Sequence, residues 1–139
     1  MSDPGDGSLP VFRGNLESAP VYAFWVSGNA GGVIDLVYFT YYPYNRGKKL
    51  LDTVWGNHVG DWENMVVRLD SSLRPTEVFM SQHAGDQMVP WTKVELHSSG
   101  HPVAYSAQGS HGLYPGAGNH EYKSTAAGAL VDVTSKGTP

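Results

Sequence analysis

An all-β fold, an antiparallel β-sandwich of about seven strands with long Gly-rich rim loops, is what this sequence predicts. Three observations predict it. Glycine (17), proline (9) and tyrosine (8) are plentiful among 139 residues, which suits many short strands joined by tight turns. The apolar runs are short and rich in β-branched and aromatic residues, as pleated buried surfaces favour. The helical crossovers of a dozen residues that parallel βαβ units need are missing.

Taken in order, the first 19 residues, opening MSDPGDGSLP, read as a loosely ordered arm before a single domain over residues 20–139. PVYAFWV, Pro20 to Val26, is the first strand, and SGNAGG, Ser27 to Gly32, is a turn cluster. VIDLVYFTYYPYN, Val33 to Asn45, is the second and longest, with Pro43 ending its pairing. Its aromatic run reads as both faces of a central strand packed in a core. NRGKKLLDTVWGNH is a connection with a short helical turn at Lys48 to Thr53. GDWENMVVRLD is the third strand, PTEVFMSQH the fourth, WTKVELH the fifth and HPVAYSAQGSH the sixth. GLYPGAGNHEY is a long Gly-rich loop, and ALVDVTS, Ala129 to Ser135, is the seventh strand.

The formal net charge is −4, and the nine lysines and arginines are scattered rather than striped. Nucleic acid is therefore excluded as the main partner. No apolar run reaches the length of a transmembrane segment. Cysteine is absent, so disulfides and thiolate metal sites are excluded. The polar opening has no apolar stretch of a secretory signal, which favours the cytoplasm. Oligomeric state is left open.

The chemistry concentrates in GNHVGDWENMVVRLD. Strand side chains alternate between faces. Asp61 and Glu63 therefore share a face with Met65, Val67 and Leu69, a row that points into the core. Ionised carboxylates on an inward row need a positive partner, because each loses several kcal/mol of hydration. His58, across Val59-Gly60, can swing to the same spot. One nitrogen and two carboxylates make a divalent-cation set. Oxygen donors favour magnesium, calcium or manganese, and the imidazole admits zinc. An acid–histidine ion pair without metal, and a solvated surface turn, satisfy the same pattern.

Further polar groups stand at strand ends. Ser81-Gln82-His83 closes an apolar run, Ser110-His111 follows another, and His120-Glu121 ends the Gly-rich loop. If these strands align, three histidines gather at one rim. His83 and His111 are then the candidate general bases of an enzyme. Tyr42, Tyr44, Arg46, Gln82, Ser110 and His120 are the candidate ligand contacts. His97 and His101 read as exposed residues flanking a turn. No Walker loop or nucleophile elbow is present.

YFTYYPYNRGK, GNHVGDWENMVVRL, MSQHAGDQ, HPVAYSAQGSHGLYP and DVTSKG resemble, in that order, the vacuolar protein sorting-associated protein 62-like domain family of fungi, plants and bacteria. The likeness runs from about Val21 to Gly137. The family's trafficking name implies little about molecular function. Its members usually carry more chain at both ends, so a truncated member is one expectation. NHVGDWE is also similar to the GHRHDWE heptapeptide of the necrosis- and ethylene-inducing cytolysins. That resemblance implies a β-sandwich with a divalent cation in a rim cavity that engages sphingolipid headgroups. It puts His58, Asp61 and Glu63 on ligand positions and His83, through SQHAG, near the metal. It also names Asp52 as the nearest match to an upstream aspartate, and it sets Gly60 where the heptapeptide has its second histidine.

Three functions compete. The first is a cation-dependent binding module for a small polar ligand, such as a membrane headgroup or glycan. The second is a metal-dependent hydrolase or lyase. The third is a trafficking adaptor in which the acids and histidines form a buried ion-pair network.

Overall fold

The computed structural model describes residues 15–28, 30–83 and 87–137. Most of the expected N-terminal arm, part of the SGNAGG turn and Ala84 to Asp86 of the MSQHAGDQ block lie outside the described residues. Leu16–Ser18 forms one 3-10 turn.

Five strands make the main antiparallel sheet: β1 (Val21–Val26), β2 (Ile34–Asn45), β5 (His58–Leu69), β6 (Pro75–Met80) and β7 (Gln87–Pro90), side by side in that order. Three two-stranded ladders complete the strands described: β3 (Lys48–Leu50) with β4 (Thr53–Trp55), β8 (Tyr105–Ser106) with β9 (Leu113–Tyr114), and β10 (Gly118–Thr125) with β11 (Gly128–Thr134). The all-β antiparallel sandwich predicted from sequence is the fold observed.

Alternation decides which face is inside. Val67 and Leu69 of β5, Val78 and Met80 of β6 and Val89 of β7 form the core with Val94. Ile34, Leu36, Tyr38, Met65, Trp91, Ala104 and Leu113 pack against it. A second cluster, Tyr105, Ala107 and Tyr114, sits under the short ladders. Backbone hydrogen bonds tie the layers together: Leu113 N donates to Ser81 O (2.6 Å), Gln108 N to Val133 O (2.9 Å) and Arg46 N to Gly109 O (2.7 Å).

Several expectations are corrected. Lys48 to Thr53 is not helical, because β3 and β4 pair as a hairpin through Lys49↔Val54. The expected fifth strand is a 3-10 turn at Trp91–Lys93 followed by an isolated bridge, Leu96↔Pro102. The sixth shrinks to Tyr105–Ser106. The Gly-rich loop contains β9 and most of β10. Pairing of β2 passes Pro43 and resumes at Tyr44↔Val59 and Asn45↔His58. The aromatic run is not core on both faces: Tyr38, Tyr42 and Tyr44 are half-buried on the inner face, and Tyr41 on the outer face is exposed. The outer face joins Phe39, Tyr41 and Trp62 with Tyr22 and Phe24 in an exposed aromatic cluster, with ring centroids 4.9 to 6.2 Å apart.

Candidate functional site

The inward row of β5 reaches the rim as the alternation requires. Glu63 is buried, Asp61 half-buried, and Trp62 between them exposed. Cross-strand register places Tyr42 opposite Asp61 and Thr40 opposite Glu63. Ser81, just past β6, donates its hydroxyl to Glu63 Oε2 and accepts Asn64 N–H at 2.9 Å. Burial pushes the Glu63 carboxyl above its ordinary range. The Ser81 hydrogen bond opposes that shift, neighbouring Asp61 adds to it, and the nearby His83 and His111 also oppose it. Asp61, Glu63, His83 and His111 therefore share one electrostatic neighbourhood.

His111 enters from the turn between β8 and β9. Its backbone is left-handed, φ 62°, a conformation that costs a non-glycine residue about 1–2 kcal/mol. Its N–H is held by Ala107 O at 2.9 Å. The imidazole lies flat on Tyr42, with centroids 3.9 Å apart and planes 3° apart, and its Nδ1 meets Asp61 Oδ2 at 3.0 Å. Such strain beside a functional cluster is where fold energy is commonly stored.

Asp132 is the residue that sequence reading missed. It lies on β11 between Leu130 and Thr134, and all three are buried. The parity argument that turned Asp61 and Glu63 inward applies equally to it, and its apolar neighbour Leu130 was the available signal. Asp132 is 0 % exposed. Its Oδ1 accepts from Ser110 Oγ (2.5 Å) and faces Lys48 Nζ (3.3 Å). Its Oδ2 accepts from Tyr114 OH (2.7 Å) and His83 Nδ1 (2.9 Å). Burial alone pushes this carboxyl up. The bonds from His83, Ser110 and Tyr114 outweigh burial and hold it well below the usual carboxylate range. The Asp132 bond in turn raises the pKa of His83 against the opposing effect of burial. His83 stacks on Tyr122, with centroids 4.7 Å apart.

One pattern unites three imidazoles. An ionised carboxylate or a carbonyl only accepts hydrogen bonds, so a ring nitrogen facing one is the donor. His58 Nδ1 faces Gly60 O (2.9 Å), His83 Nδ1 faces Asp132, and His111 Nδ1 faces Asp61. In the neutral rings of His83 and His111 the lone pair is then on Nε2. His58 Nε2 stands 4.0 Å from Asp61 Oδ1. Metal-binding histidines characteristically hold their other nitrogen this way, and an oriented Nε2 also suits proton transfer. Asp61, Glu63 and these imidazoles supply the donor types of a divalent-cation site. Among the described residues, no three His, Asp or Glu side chains close around one point as a metal shell.

The remaining candidates divide. Tyr42 lines the cluster through His111. Ser110 is buried with its hydroxyl on Asp132, so it supports the site from behind. His120 lies elsewhere: its Nε2 meets Thr134 Oγ1 at 2.9 Å, it stacks on Tyr114 at 3.9 Å, and it lines a groove with Met88, Lys93 and Pro115. Tyr44 and Gln82 are half-buried and Arg46 is exposed. Asp52 is exposed at the tip of the β3–β4 hairpin. His97 and His101 are exposed, and both bond Ser99 Oγ, at 2.8 and 3.0 Å. Gly60, with φ 76°, stands where the cytolysin heptapeptide has a histidine; a Cβ there would meet the Tyr41 hydroxyl at 3.2 Å.

Comparison with known proteins agrees with the fold. Two solved structures, NLPPya in complex with glucosamine and NLPPya in complex with mannosamine, superpose with a TM-score of 0.56 at 25 % identity. Each match covers 84 % of this chain and about half of the other. Among curated proteins, vacuolar protein sorting-associated protein 62 of Saccharomyces cerevisiae is 30 % identical over 131 residues. The putative vacuolar protein sorting-associated protein TDA6 of the same yeast is 28 % identical over 134. Both matches cover 84 % of this chain but only 28 % of the relative. The family model for vacuolar protein sorting-associated protein 62 matches residues 5–134, and this chain belongs to that family.

Proposed function

We propose that the chain is a binding module whose rim takes an amino sugar or a related glycan or lipid headgroup, with a divalent cation held by Asp61, Glu63 and imidazole nitrogens of His58 and His83. The observation that carries the reading is the meeting, at one rim, of two inward carboxylates, Asp61 and Glu63, with two imidazoles on Asp61: His111 Nδ1 at 3.0 Å and His58 Nε2 at 4.0 Å. The cation would balance the acids and bind sugar hydroxyls. Tyr42, stacked under His111, gives the site a rigid aromatic wall. The sugars named with the two solved neighbours support the ligand class.

Calorimetric titration with glucosamine, mannosamine and N-acetylglucosamine, with and without chelator, tests it. Binding should require the cation. Asp61→Ala should weaken binding by roughly 10–100-fold, the loss of a charge-assisted contact, with an unchanged circular dichroism spectrum. Equal affinity in Asp61→Ala would remove the rim from consideration.

A second reading rests on the lack of a closed three-ligand shell among the described residues. Here the sugar's own ammonium balances Asp61 and Glu63. It predicts binding that survives chelation but disappears for N-acetylglucosamine, whose amide carries no charge.

A further inference from the structure

We infer that the open edge of β7 is a second binding site, where an extended acidic peptide adds as a strand alongside Met88. The site is separate from the rim and does not depend on what the rim binds.

β7 ends the five-stranded sheet, so one of its edges has no neighbouring strand among the described residues. The direction of its backbone groups follows from the ladder. In an antiparallel strand the N–H and C=O of one residue point to the same side, and successive residues alternate. Ser81 N donates to Asn64 O at 3.1 Å, so Ser81, Phe79 and Glu77 turn their backbone groups toward β5. Val78 and Met80 then turn toward β7 and meet Val89 and Gln87. Met88 and Pro90 are left facing the open edge. A proline suits that position, where its missing N–H costs no ladder bond. Met88 offers one N–H and one C=O there, and neither is taken by another backbone group among the described residues. Such a pair is what an added strand engages.

Beside this edge lies a groove of about 540 Å³, a size usual for ligand sites. β7 contributes Met88 and Pro90 to it, and the β9–β10 segment contributes Pro115, Gly116 and His120. The His120 ring is held in place. Its Nε2 donates to Thr134 Oγ1, whose own proton goes to Gly116 O, and the ring stacks on Tyr114. This wall is thus set before a ligand arrives, which lowers the ordering cost of binding. Charge selects the peptide. Lys93 lines the groove, is exposed, and makes no hydrogen bond or ion pair among the described residues. No carboxylate lines the groove, so an Asp or Glu side chain complements it. The opposite edge strand, β1, carries no charged residue.

Selection from a phage-displayed library of random heptapeptides against the full chain tests the site. Enriched peptides should carry Asp or Glu among β-branched residues. When such a peptide is added to nitrogen-15-labelled protein, hydrogen exchange of the Met88 amide should slow about tenfold or more, as a newly paired amide does. Lys93→Glu should weaken the peptide about tenfold or more, the loss of a charge-assisted contact. Gly116→Leu should abolish binding and keep the fold, because a Cβ at this position meets nothing within 4 Å. N-methylation at one peptide position, the N–H that meets Met88 O, should abolish binding as well. Asp61→Ala should bind the peptide as wild type does, so failure of the rim reading leaves this site standing. No enrichment, an unchanged Met88 amide, or tolerance of every single N-methylation overturns the inference. Peptide-induced shifts confined to β1, or to Asp61 and His111, overturn it equally.

Discussion

At the scale of single residues, Asp132 and His83 dominate. Replacing Asp132 by Asn leaves Lys48 and the hydroxyls of Ser110 and Tyr114 without their anionic acceptor. Breaking a buried ionic pair typically costs about 3–5 kcal/mol, and urea unfolding of Asp132→Asn at pH 6 should show a loss of that order. The pH dependence follows from the directions of the two shifts. The Asp132 carboxyl is depressed in the fold, so its contribution is present above its unfolded value of 3.8 and is lost as pH falls below it. The His83 value is raised, so its contribution is complete below the unfolded 6.5 and is lost as pH rises through the folded value. The pair thus stabilises most between these two limits, and Asp132→Asn should flatten both limbs of the stability–pH curve. Gly60 is a second sensitive residue. At φ 76° an alanine should cost about 1–2 kcal/mol, and because it sits between His58 and Asp61 it should weaken ligand binding as well. The inward parity of Asp61 and Glu63 and the nearness of His58 to Asp61 were legible from strand alternation and spacing. Asp132 obeys the same parity, but its hydrogen-bond partner His83 is 49 residues away, and no local pattern names that partner.

At the scale of elements, β2 and β5 carry the fold. They pair from Ile34↔Leu69 to Asn45↔His58, and both were read from their β-branched and aromatic runs. The inner and outer faces of this sheet should respond differently to truncation. Met80 is 0 % exposed, and Met80→Ala should cost about 2–5 kcal/mol. Trp62 on the outer face is 53 % exposed, and Trp62→Ala should cost about 1 kcal/mol, mainly its ring contacts. Denaturant midpoints of the two variants measure the contrast. The elements read wrongly are those in which tertiary pairing overrides composition. GLYPGAGNHEY is punctuated by glycine as a loop would be, yet β10 pairs along β11 from Gly118↔Thr134. Lys48 to Leu50 looks helical in isolation, yet it pairs with Thr53 to Trp55.

At the scale of the whole molecule, the rim is a composite. It draws Asp61 and Glu63 from β5, His83 from the segment after β6, His111 from the β8–β9 turn and Asp132 from β11. A ligand seated there engages segments from most of the chain, so binding should stabilise the domain as a unit. At a hundredfold excess over Kd the gain is about 2.7 kcal/mol. Differential scanning calorimetry with glucosamine and cation should show one transition moving up in wild type and no movement in Asp61→Ala. A shift of equal size in both proteins would place binding elsewhere. Among the described residues, no helix is long and apolar enough to cross a membrane.

The sequence by itself determined the strand class, the inward parity of the acids and the family resemblance, because alternation, turn chemistry and short motifs are local properties of the chain. Only the tertiary structure decided that Asp132 stands behind His83, that His111 lies flat on Tyr42 over Asp61, and that His120 belongs to a different groove. Those facts depend on hydrogen bonds and ring contacts between segments far apart in sequence, and packing of the two layers is what brings those segments together.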